Sequence, residues 1–119
     1  MKDGFTREDA KLAEVLQRAG LPRNVARTLV YMRKRDEVKS IEIEKNTELR
    51  QPEVSIAMKY LREKGWITKR DIKKEGKGRP VHGYRLAKPF PKIIAEIEKD
   101  LEGEIKNIQK LIEELKSYA

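Results

Sequence analysis

The sequence predicts a mainly α chain with one small β-hairpin (α+β), closed by a long C-terminal helix. Three observations carry that reading. Apolar residues recur at helical spacing up to residue 65. Two short apolar runs flank a basic, Gly-rich segment at 75–80. From residue 91 onward a near-heptad apolar seam runs to residue 115.

Each element has its own local signal. Thr6 stands where a cap opens a first helix, with Asp9 three residues later as a capping-box variant. Leu12, Ala13, Val15, Leu16 and Ala19 follow at helical spacing, and Gly20 ends that helix. Pro22 opens a second helix, where its missing N–H costs nothing. Val25, Ala26, Leu29, Val30 and Met32 form its buried stripe. Residues 36–39 read as a short polar connection. Ser40 caps a third helix over 41–46, with Ile41 and Ile43 as its buried residues. Residues 47–50 make a tight connection, and Pro52 starts a fourth helix that runs to Lys64 and stops at Gly65. Trp66, Ile67 and Ile72 mark one strand, while Val81, Tyr84 and Leu86 mark the other. Pro89 and Pro91 punctuate a boundary. The expected organisation is a domain over 1–88 and a helical segment over 89–119.

Composition narrows the function. The chain has 119 residues, of which 38% are hydrophobic and 40% charged, so its core is thin and a partner subunit would help it. The net charge is +8, unevenly placed. Residues 91–119 hold five Lys against seven acidic residues, a net −2, which leaves +10 on residues 1–90. Such a basic region favours phosphate polymers or anionic surfaces. Cysteine is absent, which removes disulfides, thiolate metal sites and a Cys nucleophile. His82 is the single histidine and lacks companions for a metal. No run of about 18 apolar residues exists to span a membrane. Residues 1–6 lack the apolar core of a signal peptide. The expectation is a cytoplasmic, non-enzymatic protein without cofactor or metal.

The third and fourth helices, joined by about four residues, have the spacing of a helix-turn-helix pair. Along the fourth, Val54, Ala57, Met58 and Leu61 fall within roughly 100° of one another and form the core stripe. The opposite face shows Pro52, Ser55, Ile56, Lys59 and Glu63. An α-helix fits the DNA major groove, where base edges differ in donors, acceptors and methyl groups. Gln51 can read adenine through its amide, Glu53 can accept from cytosine N4–H, and Ile56 can touch a thymine methyl. Ser55 can reach a base or a phosphate, and Arg50, Lys59 and Arg62 suit phosphates.

The hairpin adds charge. Residues 62–85 hold nine Lys or Arg and three acidic residues, a net +6. Lys73, Lys74 and Lys77 suit backbone contacts, and Arg79 between Gly78 and Pro80 suits a narrow minor groove. The Gly-Lys-Gly of this turn lacks the spacing of a nucleotide loop.

Together these residues resemble the winged helix-turn-helix regulators of the MarR-like and archaeal TrmB-like groups. One match is Pro52-Glu53-Val54-Ser55-Ile56-Ala57-Met58-Lys59-Tyr60-Leu61-Arg62-Glu63-Lys64-Gly65-Trp66-Ile67, similar to the family's recognition helix and its entry to the wing. The other is Gly78-Arg79-Pro80-Val81-His82-Gly83-Tyr84-Arg85-Leu86, similar to the wing tip and return strand. The resemblance spans residues 10–90 and implies sequence-specific duplex binding by Gln51, Glu53, Ser55, Ile56 and Lys59 in the major groove, with Arg79 in the wing. Two positions depart from the family pattern: Glu48 stands where the turn often has Gly, and Ile56 where many members carry Arg.

The C-terminal segment completes the expectation. Ile94, Ile97, Leu101, Ile105, Ile108, Ile112 and Leu115 are spaced by threes and fours, with Leu111 beside them. The simplest cover for that seam is the same helix of a second copy, giving a homodimer on a palindromic DNA site. The sequence thus reads as a homodimeric transcriptional regulator that binds double-stranded DNA. The alternative is a winged-helix interaction module within a transcription or replication assembly.

Overall fold

The computed structural model describes residues 4–72 and 81–119. The order is α1 (Arg7–Arg18), α2 (Arg23–Met32), α3 (Ser40–Thr47), α4 (Gln51–Glu63), β1 (Ile67–Ile72), β2 (Val81–Leu86) and α5 (Phe90–Lys116). The chain divides into two compact units, Met1–Lys88 and Pro89–Ala119. No described helix is long and apolar enough to cross a membrane.

Helix ends in the first unit are set by local hydrogen bonds. The Thr6 hydroxyl accepts from the Asp9 N–H at 3.0 Å, and the Asp9 carboxylate accepts from the Thr6 N–H at 2.9 Å. This reciprocal box satisfies two donors that a helix start leaves open. Both α1 and α4 end in Schellman geometry. Gly20 and Gly65 take positive φ, of 114° and 77°. Leu21 N–H then donates to Leu16 C=O at 3.1 Å, and Trp66 N–H to Leu61 C=O at 3.0 Å.

α3 differs from its expectation by one residue and one face. Lys39, not Ser40, is the N-cap, and its N–H donates to the Glu42 carboxylate at 2.6 Å. Ile43 and Thr47, one turn apart, are buried, whereas Ile41 is 53% exposed. Residues two apart on a helix point about 200° away from each other, so only one of the two isoleucines can face the core. Val15 on α1 is likewise exposed, with Asp9, Ala13 and Leu16 taking the inward side.

The core gathers α1, α2 and α4 around Leu16, Val25, Leu29, Val30, Met32, Leu61 and Trp66. β1 and β2 pair antiparallel, Ile67 opposite Leu86 through Ile72 opposite Val81. The 36–39 connection is more than a linker. Val38 exchanges both backbone hydrogen bonds with Tyr84 at 2.8 Å, which stitches the hairpin to the stretch before α3. Burial on one side of the hairpin is light, so this bridge and Trp66 C=O, which accepts from Ala87 N–H at 2.8 Å, fix its base.

Candidate nucleic-acid interface

α4 presents two chemically opposite sides. Val54, Ala57, Met58 and Leu61 are buried; Gln51, Pro52, Ser55, Ile56, Lys59, Arg62 and Glu63 are exposed. Ser55, Ile56, Lys59, Arg62 and Glu63 line one open surface depression of about 580 Å³. Gln51, Ser55 and Arg62 also border a smaller recess of about 290 Å³ that reaches Ser40 on α3 and Lys69 and His82 on the hairpin. The outward side of α4 is therefore continuous with one side of the hairpin.

The start of α4 is held from two directions. Arg50 is the exposed N-cap, and its N–H donates to the Glu53 carboxylate at 2.8 Å. In the free chain Glu53 thus closes its own helix start, and the carboxylate assigned to cytosine from the sequence is half-buried and already accepting a hydrogen bond. From the other direction, Asn24 Nδ2 donates to Glu53 C=O at 2.9 Å. This bond ties the first turn of α2 to the first turn of α4.

The turn between α3 and α4 keeps left-handed geometry without a glycine. Glu48 has φ 62° and ψ 28°. Arg27 on α2 supports it, donating through Nε to Thr47 C=O at 2.8 Å, while its guanidinium lies 4.4 Å from the Phe5 ring centre. Burial first, and then the neighbouring Arg23 cation, lower the pKa of Arg27 from its ordinary value, with Glu48 acting the other way. Positive charge from Arg23, Arg27 and Arg50 thus collects around the α3–α4 turn. Sequence reading missed Arg23 and Arg27, because nothing within α2 signals that α4 will lie against them.

The hairpin cations divide by face. Lys69 is exposed on the side shared with His82, whose Nδ1 lies 2.8 Å from the Asp71 carboxylate of the opposite strand. Arg70 points to the other side and is not a free charge. It holds Glu37 through two hydrogen bonds, of 2.7 and 3.0 Å. The Arg70 guanidinium keeps the Glu37 carboxyl below its ordinary pKa against some desolvation, aided by the charges of Arg85 and Lys39. Gly83, directly across from Arg70, makes room for this pair. A Cβ there would come within 2.8 Å of the Glu37 carboxylate and of Ile72. Lys73, Lys74, Lys77 and Arg79 lie outside the described residues.

The seam of α5 also divides. Ile97 is buried, and Ile94 and Leu101 are half-buried. Ile105, Ile108, Leu111, Ile112 and Leu115 are all exposed.

A helix-turn-helix pair followed by a two-stranded wing defines the winged helix-turn-helix fold, here with a long C-terminal helix. The comparison with solved structures agrees. The chain is similar to TrmBL2, an archaeal chromatin protein whose structure is reported to show a novel mode of DNA binding. The match has a TM-score of 0.55 and 22% identity, and covers 91% of this chain and 40% of TrmBL2. The chain thus spans less than half the length of that relative. No protein-family model matches the sequence, and no curated protein matches it.

Proposed function

We propose that this chain is a sequence-specific double-stranded DNA-binding protein and a homodimeric transcriptional regulator of the MarR-like or archaeal TrmB-like kind, rather than an enzyme. The observation that carries the reading is the outward side of α4, exposed along the helix and polar except for Pro52 and Ile56. α4 enters the major groove with Gln51, Ser55 and Ile56 toward base edges. Lys59, Arg62 and Arg50 meet phosphates, which set register without specifying sequence. The wing, through Lys73, Lys74, Lys77 and Arg79, follows the backbone or the minor groove. The fold it shares with TrmBL2, a protein reported to bind DNA, supports the reading.

The homodimer rests on the five exposed apolar residues from Ile105 to Leu115. A symmetric pair of α5 helices covers them and sets two recognition helices about 34–36 Å apart, one turn of duplex.

Binding measured by fluorescence anisotropy tests the whole. Affinity for a duplex selected from a random pool falls steeply between about 50 and 200 mM salt, by counterion release. Lys59→Ala and Arg79→Ala each weaken it. If both variants bind as tightly as the parent chain at low salt, the assigned face is wrong. A chain that ignores every duplex but joins a transcription or replication assembly would support the interaction-module alternative.

A further inference from the structure

Ile56 stands apart from every other residue of its helix. It is 63% exposed in the middle of α4, with polar or charged Ser55, Lys59, Arg62 and Glu63 around the same depression. The core does not need it, since Val54, Ala57, Met58 and Leu61 fill the inward side. With Pro52 one turn before it, Ile56 still makes too small an apolar patch to hold a protein partner.

Its chemistry restricts what it can face in a major groove. Isoleucine has no donor or acceptor, so over a purine N7, a carbonyl or an amino group it would strip water and return no hydrogen bond. The one apolar group on the edge of an ordinary base pair there is the C5-methyl of thymine. Cytosine acquires the same group at the same place when it is methylated at C5. The adjacent Ser55 hydroxyl is exposed and both donates and accepts, so it suits the O4 of thymine and the N4 amino group of cytosine alike.

We propose that Ile56 makes α4 a reader of 5-methylpyrimidines. The base beneath it carries a C5-methyl, and thymine and 5-methylcytosine are favoured there over uracil and unmodified cytosine. This rests on the major-groove placement of α4 proposed above and adds the chemical feature read at that point. It also makes binding sensitive to cytosine methylation at one position of each half-site.

The test uses the full chain and a duplex selected from a random pool. Each thymine is replaced in turn by deoxyuridine, which removes only the methyl. One position per half-site is expected to lose about fourfold in affinity, the worth of one buried methyl group. At that position a cytosine–guanine pair is then compared with its 5-methylcytosine form, and methylation restores a similar factor. Ile56→Ala, a surface change that leaves the core intact, removes both effects while the variant still binds the duplex. Specific binding in which no uracil position matters, or an Ile56→Ala variant that keeps the same discrimination, overturns this proposal alone. A chain that binds no duplex, or all duplexes equally, overturns the sequence-specific reading beneath it as well.

Discussion

α4 and α5 are both amphipathic, and they dispose of their apolar sides in opposite ways. In α4 the apolar stripe is buried within the first unit and the free side is polar. In α5 the last three turns leave Ile105, Ile108, Leu111, Ile112 and Leu115 exposed. The lesson is that one helix type can present two kinds of surface. A helix whose apolar side is satisfied can offer its polar side to a hydrated, charged groove. A helix whose apolar side is unsatisfied calls for an apolar partner, because burial of each large aliphatic side chain is worth about 1.5–3 kcal/mol.

The sharpest way to break this contrast is to charge the α5 seam. Ile112→Glu puts one carboxylate per copy into the proposed dimer interface. Sedimentation equilibrium should show the dimer dissociation constant rising at least about a hundredfold, from two lost isoleucine contacts of that size. Unfolding of the first unit should be unaffected. The second test attacks the buried stripe of α4. Leu61 is fully buried, and Leu61→Ala should cost about 2–5 kcal/mol in urea unfolding. Duplex binding should fall only as far as the folded fraction falls, since Leu61 belongs to the inward side.

A third prediction concerns charge inside the first unit. Asp9 is fully buried and pairs with Arg33 at 3.0 Å and Lys34 at 3.2 Å. Burial alone would raise its pKa. The Thr6 N–H, Lys34, the Thr6 hydroxyl and Arg33 together outweigh burial and hold it below the ordinary 3.8. Because the folded value is the lower one, the stabilisation is complete above pH 3.8 and is lost as pH falls through the folded value. Asp9→Asn should flatten that acid limb in a pH series of urea midpoints. At neutral pH it should cost about 2 kcal/mol, less than a fully buried pair because both cations reach solvent. The smallest effect is expected at the turn that aims α4. Glu48 holds φ 62° with a side chain, so Glu48→Gly should raise stability by about 1 kcal/mol and leave duplex affinity unchanged.

Much of the first unit was legible in short stretches of sequence. The Thr6–Asp9 box, the glycine stops at Gly20 and Gly65, and the inward stripe of α4 all involve partners within a few residues. Ile41 was misread because an apolar residue near a helix start does not say which way the helix will be rotated. Arg70 reads as one more wing cation, yet it is committed to Glu37, 33 residues earlier in the chain. Glu53 reads as a base contact, and the structure adds a second role, since its carboxylate accepts the Arg50 N–H at the start of α4. The tip residues Lys73, Lys74, Lys77 and Arg79 lie outside the described residues.

Short stretches of sequence set the ends of α1 and the stop of α4, and which side of α4 is apolar, because those depend on hydrogen bonds and periodicities closed within a turn or two. How the surface around α4 is assembled follows from the packing of distant segments. That packing brought Asn24 to Glu53 across 29 residues, joined Val38 to Tyr84, and laid Arg27 against the Thr47 carbonyl, 20 residues on. The reason is that such contacts are selected by the packing of whole elements against one another, and no short window of residues contains both partners.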